Sequence, residues 1–193
     1  MPPQESSCYK VLVVGPCEGG KSVLANVLAE ASEAPSEAYR PTVGCRILEF
    51  ETEVRSTSQR MTVELWDVSG DPKAQKVWPA IKKDAAGVML VYNPEKQNHE
   101  TEIEHWFQWF PRSMNMSPMQ VLVVQSLRRS DMPRRMPLPA KLTQAGVTQH
   151  AAVPTEDLPS VRKHFSQFLE NVRQNVLDRQ RQEEEDVMKA QGG

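Results

Sequence analysis

A chain of 193 residues with a formal net charge of −2 and 39% hydrophobic residues has the size of one ordinary domain, long enough to bury a full core. The near balance of charge gives no electrostatic reason for nucleic acid or an anionic membrane surface as partner. Prolines number 15, which with a charged C-terminal end points to solvated segments around a compact core.

Residues 1–9 read as a flexible N-terminus, and the first strand as Lys10–Val14, with Val11, Leu12, Val13 and Val14 forming an uninterrupted apolar run. After it stands Gly15-Pro16-Cys17-Glu18-Gly19-Gly20-Lys21-Ser22, which fits the P-loop pattern G-x-x-x-x-G-K-[ST] at every fixed position. A helix from Lys21 to about Ala31 comes next, opened by Ser22 and Val23 and carrying amphipathic spacing. This strand–loop–helix order is what phosphate binding requires. Glycines let successive backbone N–H groups converge on one phosphate, and the helix N-terminus adds partial positive charge. Lys21 then reaches the β- and γ-phosphates, and the Ser22 hydroxyl meets Mg²⁺.

The polar stretch Ser32–Thr42, with Pro35 and Pro41, is expected as a loop. Cys45–Glu51 and Met61–Trp66 alternate as strands around the turn-rich Arg55–Gln59, an antiparallel hairpin. Val88–Tyr92 and Val121–Val124 are continuous apolar runs, the mark of central strands covered on both faces. Between them Ile103, Trp106, Phe107 and Phe110 recur at helical spacing and form a stripe for packing on the sheet. Arg128–Pro139, rich in Arg and Pro, reads as a solvated loop. A last helix opens near Thr155 or Ser160 with Val161, Phe165, Phe168, Leu169 and Val172 on one face. The main domain then spans residues 10–176, and residues 177–193 form a charged helical or disordered tail. Alternating strands and helices give an α/β class with a mostly parallel sheet.

Cys8, Cys17 and Cys45 are odd in number and lack metal-site spacing, so reduced thiols in a cytosolic protein are expected. No window reaches the ~18 consecutive apolar residues of a membrane span. Neither a signal peptide, nor Gly at position 2, nor a prenylatable C-terminal cysteine is present, so recruitment by protein contacts rather than lipid is expected.

The nucleotide class comes from the residues beyond the P-loop. Thr42, just before strand 2, stands where switch-type nucleotide hydrolases place a hydroxyl on Mg²⁺. Asp67, ending strand 3 in Trp66-Asp67-Val68-Ser69-Gly70, matches the Walker-B acid, with Gly70 as the glycine whose N–H meets the γ-phosphate. Ser22, Thr42 and Asp67 are therefore the expected metal set. Two features depart from the pattern. Asp71 comes after Gly70 where the hydrolytic water is usually oriented by Gln, so no catalytic residue is assigned and hydrolysis should be very slow or absent. After strand 5, the expected N-K-x-D falls on Ser126, Leu127 and Arg129, and Arg129 cannot accept hydrogen bonds from guanine. Asp131 comes two residues late. The later serine-alanine element, sought near Val147–His150, is not recognisable. Of this base-reading element, only Ser126 is kept among the cofactor-binding candidates.

The chain from Lys10 to Val172 resembles Ras/Rab-type small GTPases, which implies the Ras-like P-loop GTPase fold, α/β with a six-stranded, mostly parallel sheet and helices on both faces. More narrowly, Gly15–Glu18, Pro41–Glu51, and Trp66-Asp67 through Gly70–Lys73 with Trp78-Pro79-Ala80 look like the Rab-like small GTPase subunit of the intraflagellar transport B complex. That resemblance implies GTP or GDP with Mg²⁺ as ligands, and a coiled-coil pair of other transport subunits as partners. It also implies residence in the cytoplasm, at the flagellar or ciliary base and along the axoneme. The role it implies is a nucleotide-dependent binding module in cilium assembly. Two other readings stay open: a slow GTPase switch with partner-assisted hydrolysis, and a pseudo-GTPase scaffold that binds no nucleotide. Trp78 could face a partner or the core.

Overall fold

The computed structural model describes residues 8–30, 41–54, 59–127, 137–154 and 157–191. Six strands form one sheet in the order β2-β3-β1-β4-β5-β6. They are β1 (Cys8–Val14), β2 (Cys45–Val54), β3 (Gln59–Val68), β4 (Gly87–Tyr92), β5 (Val121–Leu127) and β6 (His150–Pro154). Only β2 runs antiparallel, paired with β3 from Cys45↔Val68 to Val54↔Gln59. The other neighbours are parallel. β1 lies between β3 and β4, so the loop leaving its C-terminal end opens beside the ends of both.

The uninterrupted apolar runs are the strands buried on both faces, because a central parallel strand has helices above and below. β4 and β5 are buried at every position. On one face, α1 (Lys21–Leu28) and α5 (Leu158–Gln191) cover Val11, Val13, Leu65 and Val91. On the other, α2 (Trp78–Lys82), α3 (His99–Trp109) and α4 (Ala140–Gln144) cover Leu12, Val14, Leu90 and Val123. The stripe Ile103, Trp106, Phe107 and Phe110 is buried, as are Val161, Phe165, Phe168, Leu169 and Val172.

Several boundaries move. β1 begins at Cys8, so Cys8 and Tyr9 belong to the sheet rather than to a flexible end; Cys8 pairs with Thr62 and Tyr9 with Val63. Helix α1 ends at Leu28. The expected loop Ser32–Thr42 lies outside the described residues up to residue 40, as do the hairpin turn and most of Arg128–Pro139. Past Val176, where the apolar face fades, α5 continues as helix and runs 34 residues to Gln191. From residue 178 to 190 its side chains are exposed, and the ion pairs Arg179–Glu183 and Lys189–Glu185 stand at the i,i+4 spacing that supports a solvated helix. All three cysteines are free thiols, and no described helix is long and apolar enough to cross a membrane.

Trp78 belongs to the core. It is 6% exposed, with its ring 5.4 Å from Trp106, 5.2 Å from Trp109 and 5.0 Å from Phe110. Its predecessor Val77 turns outward instead. Because α2 is a single short turn pressed on α3, only Trp78 and Ile81 of it are buried, a periodicity too short to read in sequence. Trp78→Ala is expected to destabilise the fold by about 3–5 kcal/mol, measured by denaturant unfolding. Trp78→Phe should cost distinctly less, because the buried Nε1 has no hydrogen-bond partner to lose.

Candidate functional site

The P-loop leaves β1 at Gly15 and enters α1 at Lys21. Gly15, Pro16 and Gly19 are buried, whereas Cys17 and Glu18 face outward. At the helix entrance Gly20 has φ +95°, and a Cβ there would lie 2.4 Å from Ser126 Oγ. Only glycine fits both demands. Ser126, buried at the end of β5, therefore backs the loop directly, and its small side chain sets how closely β5 approaches. Val23 is half-buried in the first turn of α1.

Lys21 folds back beneath the loop. Its Nζ donates to Gly15 O at 2.9 Å and Pro16 O at 2.7 Å. Burial pushes the ammonium down to about 8, against the pull of the Asp67 carboxylate. Gly70 presses on the same spot, for a Cβ on it would meet Cys17 N at 2.6 Å and Lys21 Nζ at 2.7 Å. The D-x-x-G glycine thus lies against the P-loop lysine, and any side chain there would close the cradle.

The three expected metal residues converge. Ser22 Oγ lies 2.9 Å from Thr42 Oγ1, and Thr42 Oγ1 donates to Asp67 Oδ2 at 3.2 Å. Asp67 is fully buried, and its Oδ1 has no hydrogen-bond partner. Two hydroxyls and a carboxylate with an orphaned oxygen, next to a phosphate-type loop, are hard oxygen donors of the kind Mg²⁺ takes. The chemistry of the set fits that ion.

Asp71 is engaged elsewhere. Its Oδ1 accepts from Lys73 N at 2.9 Å and caps the 3₁₀ turn Pro72–Val77. The carboxylate is therefore turned toward its own backbone.

The base-reading side is less complete. Leu127 is wholly buried in the core, so the lysine position of N-K-x-D has become a packing residue. Arg129 and Asp131 lie outside the described residues. Val147–His150 proves to be the wrong place to seek the serine-alanine element. It leads into the N-terminal end of β6, where Gln149 Nε2 donates to Met119 O and Asn171 Nδ2 to Gln149 Oε1, each at 2.7 Å. The phosphate loop lies at the opposite, C-terminal ends of the strands. The segment at that end is Pro154–Asp157, of which residues 155–156 are outside the described range.

Two site residues escape sequence reasoning. Arg46 Nη2 donates to Asp67 Oδ2 at 3.2 Å, and Lys96 pairs with Glu18. Glu18 holds a left-handed backbone, φ 57°, which costs a non-glycine residue about 1 kcal/mol; the Lys96 pair ties that strained corner to the loop after β4. Only Arg46 carries a signal that sequence could in principle supply: a basic residue facing an acid once the β2–β3 register is known.

Among known proteins, the Roc (Ras of Complex, domain of DAPkinase) family model matches residues 10–127. The intraflagellar transport protein 22 homolog of Bos taurus is 35% identical over 187 residues, covering 93% of this chain and 97% of the relative. A GTP-bound crystal structure of T. brucei IFT22/74/81 superposes with a TM-score of 0.72 at 28% identity, covering 89% of this chain and 98% of that one. GDP-bound T. brucei IFT22 gives 0.64 at 27% identity, over 90% and 99%. Fold, phosphate-loop geometry and near end-to-end likeness agree: the chain belongs to the family of intraflagellar transport protein 22 homologues and has the Ras-like small GTPase fold.

Proposed function

We propose that this chain is a guanine-nucleotide-binding subunit of the intraflagellar transport B complex that acts as a binding module rather than as an efficient hydrolase. The observation that carries this reading is the meeting of Ser22, Thr42 and Asp67 within hydrogen-bonding distance, beside a P-loop whose Lys21 is held on its carbonyls. Relatives support it, since the similar T. brucei protein has been crystallised GTP-bound with IFT74/81 and GDP-bound alone. The P-loop residues Gly15–Val23 hold the phosphates, Lys21 supplies charge, and Gly70 offers its N–H beside Lys21. Ser22, Thr42 and Asp67 hold Mg²⁺, which when bound screens the phosphate charge. Thr42 joins α1 to β3 through Ser22 and Asp67, so it couples this centre to the entry of β2.

The docking surface lies where that coupling ends. Val43, Ile47 and Val77 are exposed to 92%, 51% and 46%, and β2 is an edge strand. This surface suits a coiled-coil pair of transport subunits, with the protein carried to the flagellar base and axoneme by that contact. Partner-assisted turnover finds no support in Asp71, which caps its own turn.

Three measurements test the reading. With the acceptor of N-K-x-D replaced by Arg129, the base contact loses about 2–4 kcal/mol. GTP should then bind at about micromolar Kd, with reduced preference over ATP or XTP. Lys21→Ala should abolish binding in calorimetric titration, and sub-nanomolar, guanine-exclusive binding would sink the argument.

Lys21 also sets a pH dependence. With its ammonium near 8 in the free protein, phosphate must restore a proton that is lost as pH rises through that value. Affinity is therefore full below pH 8 and falls above it, by up to about tenfold per pH unit. Proton uptake on binding should appear in titrations above pH 8 and vanish below pH 7. Flat affinity up to pH 9.5 would refute the claim.

For docking, Ile47→Glu is expected to weaken assembly with the coiled-coil pair by about tenfold or more, read by co-purification, while leaving the melting temperature unchanged. Unaltered assembly would move the interface off β2.

A further inference from the structure

Asp67 meets a cation that belongs to the protein itself. Arg46 stands directly opposite it in the antiparallel β2–β3 ladder, and its Nη2 donates to Oδ2 at 3.2 Å. The same oxygen accepts from Thr42, whereas Oδ1 is buried with no hydrogen-bond partner. The carboxylate therefore has one side held by Arg46 and Thr42 and one side left for a second cation. The Arg46 side chain is 41% exposed, so the cation keeps access to water while it pairs with a fully buried acid.

This pairing changes the charge that an incoming phosphate meets. Without Arg46, a phosphate entering the loop would face the bare Asp67 carboxylate unless a divalent ion came with it. With Arg46, the positive charges of Lys21 and Arg46 already exceed the single negative charge of Asp67 before any metal binds.

We propose that Arg46 is a built-in countercation of the phosphate site, a positioning residue that neutralises Asp67 in place of metal and lets the chain retain guanine nucleotide when Mg²⁺ is withdrawn. It acts through Asp67 and Thr42, and leaves Oδ1 to the metal. This rests on the nucleotide-binding reading above.

The test compares GDP affinity in saturating Mg²⁺ and in excess EDTA, for the wild-type chain, Arg46→Gln and Arg46→Lys, with melting curves of each without nucleotide. Wild type is expected to weaken by about tenfold or less on losing Mg²⁺, and a loss beyond that overturns the proposal without recourse to any variant. Arg46→Gln should show a metal dependence at least about threefold steeper than wild type, and Arg46→Lys, which keeps the charge, a dependence below that mark. A merely structural arginine would weaken binding equally in both conditions and leave the metal dependence unchanged, which overturns the proposal, as does a lysine variant that behaves like glutamine. Wild-type protein that binds GDP in neither condition refutes the nucleotide reading and this proposal together. Wild-type protein that binds while Arg46→Gln keeps its metal dependence refutes this proposal alone.

Discussion

Asp67 is a carboxylate in a place with no water, and most of the site can be read as the arrangement that makes this tolerable. An unpaired buried charge costs several kcal/mol, even after local relaxation. Here the acid is the last polar residue of β3 before the strand ends at Val68. Its partners come from far along the chain: Thr42 from the entry to β2 and Arg46 from β2 itself. Ser22 joins them from α1 through Thr42. Lys21 adds its field from under the P-loop. None of these groups is close to Asp67 in sequence, so they are satisfied together only when β1, β2 and β3 have taken their registers. The acid therefore makes correct assembly of the sheet a condition for a low-energy site.

That constraint explains why one half of the site keeps its pattern. Phosphate recognition is built from backbone N–H groups and from glycines that cannot be replaced without collision. At Gly20 an added carbon would strike Ser126, and at Gly70 it would strike the P-loop and Lys21. Base recognition depends instead on side chains presented after β5, and a side chain can change without disturbing a strand. Leu127, the last residue of β5, stands at the lysine position of that pattern and is wholly buried in the core. Ser126 kept the part of its position that faces the P-loop.

What can be read from the sequence divides along similar lines. β1, β4 and β5 announce themselves because both faces are buried, which turns a strand into a continuous apolar run. The P-loop is legible because its geometry permits few residues. Trp78, Arg46 and Lys96 are not legible in their true roles, each for a physical reason. Trp78 sits on one turn of helix, too short for a period, and its burial is set by α3. Arg46 depends on cross-strand register, which a hairpin of unknown loop length does not reveal. Lys96 reaches Glu18 at a separation of 78 positions, a contact made by topology alone. The misplaced serine-alanine element has a similar origin. Without the strand β6 in view, Val147–His150 looks like the loop after a strand, when it is the approach to one.

The geometry around Gly70 bears on why a nucleotide site would be kept while its hydrolytic residue is not. Asp71 accepts from Lys73 N, and such caps contribute about 1 kcal/mol to the start of a helical turn. The turn it starts, Pro72–Val77, carries the chain from Gly70 to the anchor at Trp78. A glutamine at position 71 would be a poorer cap, and an amide aimed at water would leave the Lys73 N–H without this partner. Stiffness between Gly70 and Trp78 and a mobile hydrolytic side chain thus compete for one position. A chain that, as proposed, presents Val43, Ile47 and Val77 to a partner in a lasting arrangement gains from the first. For a binding module within a large assembly, a nucleotide that stays bound serves as part of the structure, and the acid that holds the turn is the residue that suits it.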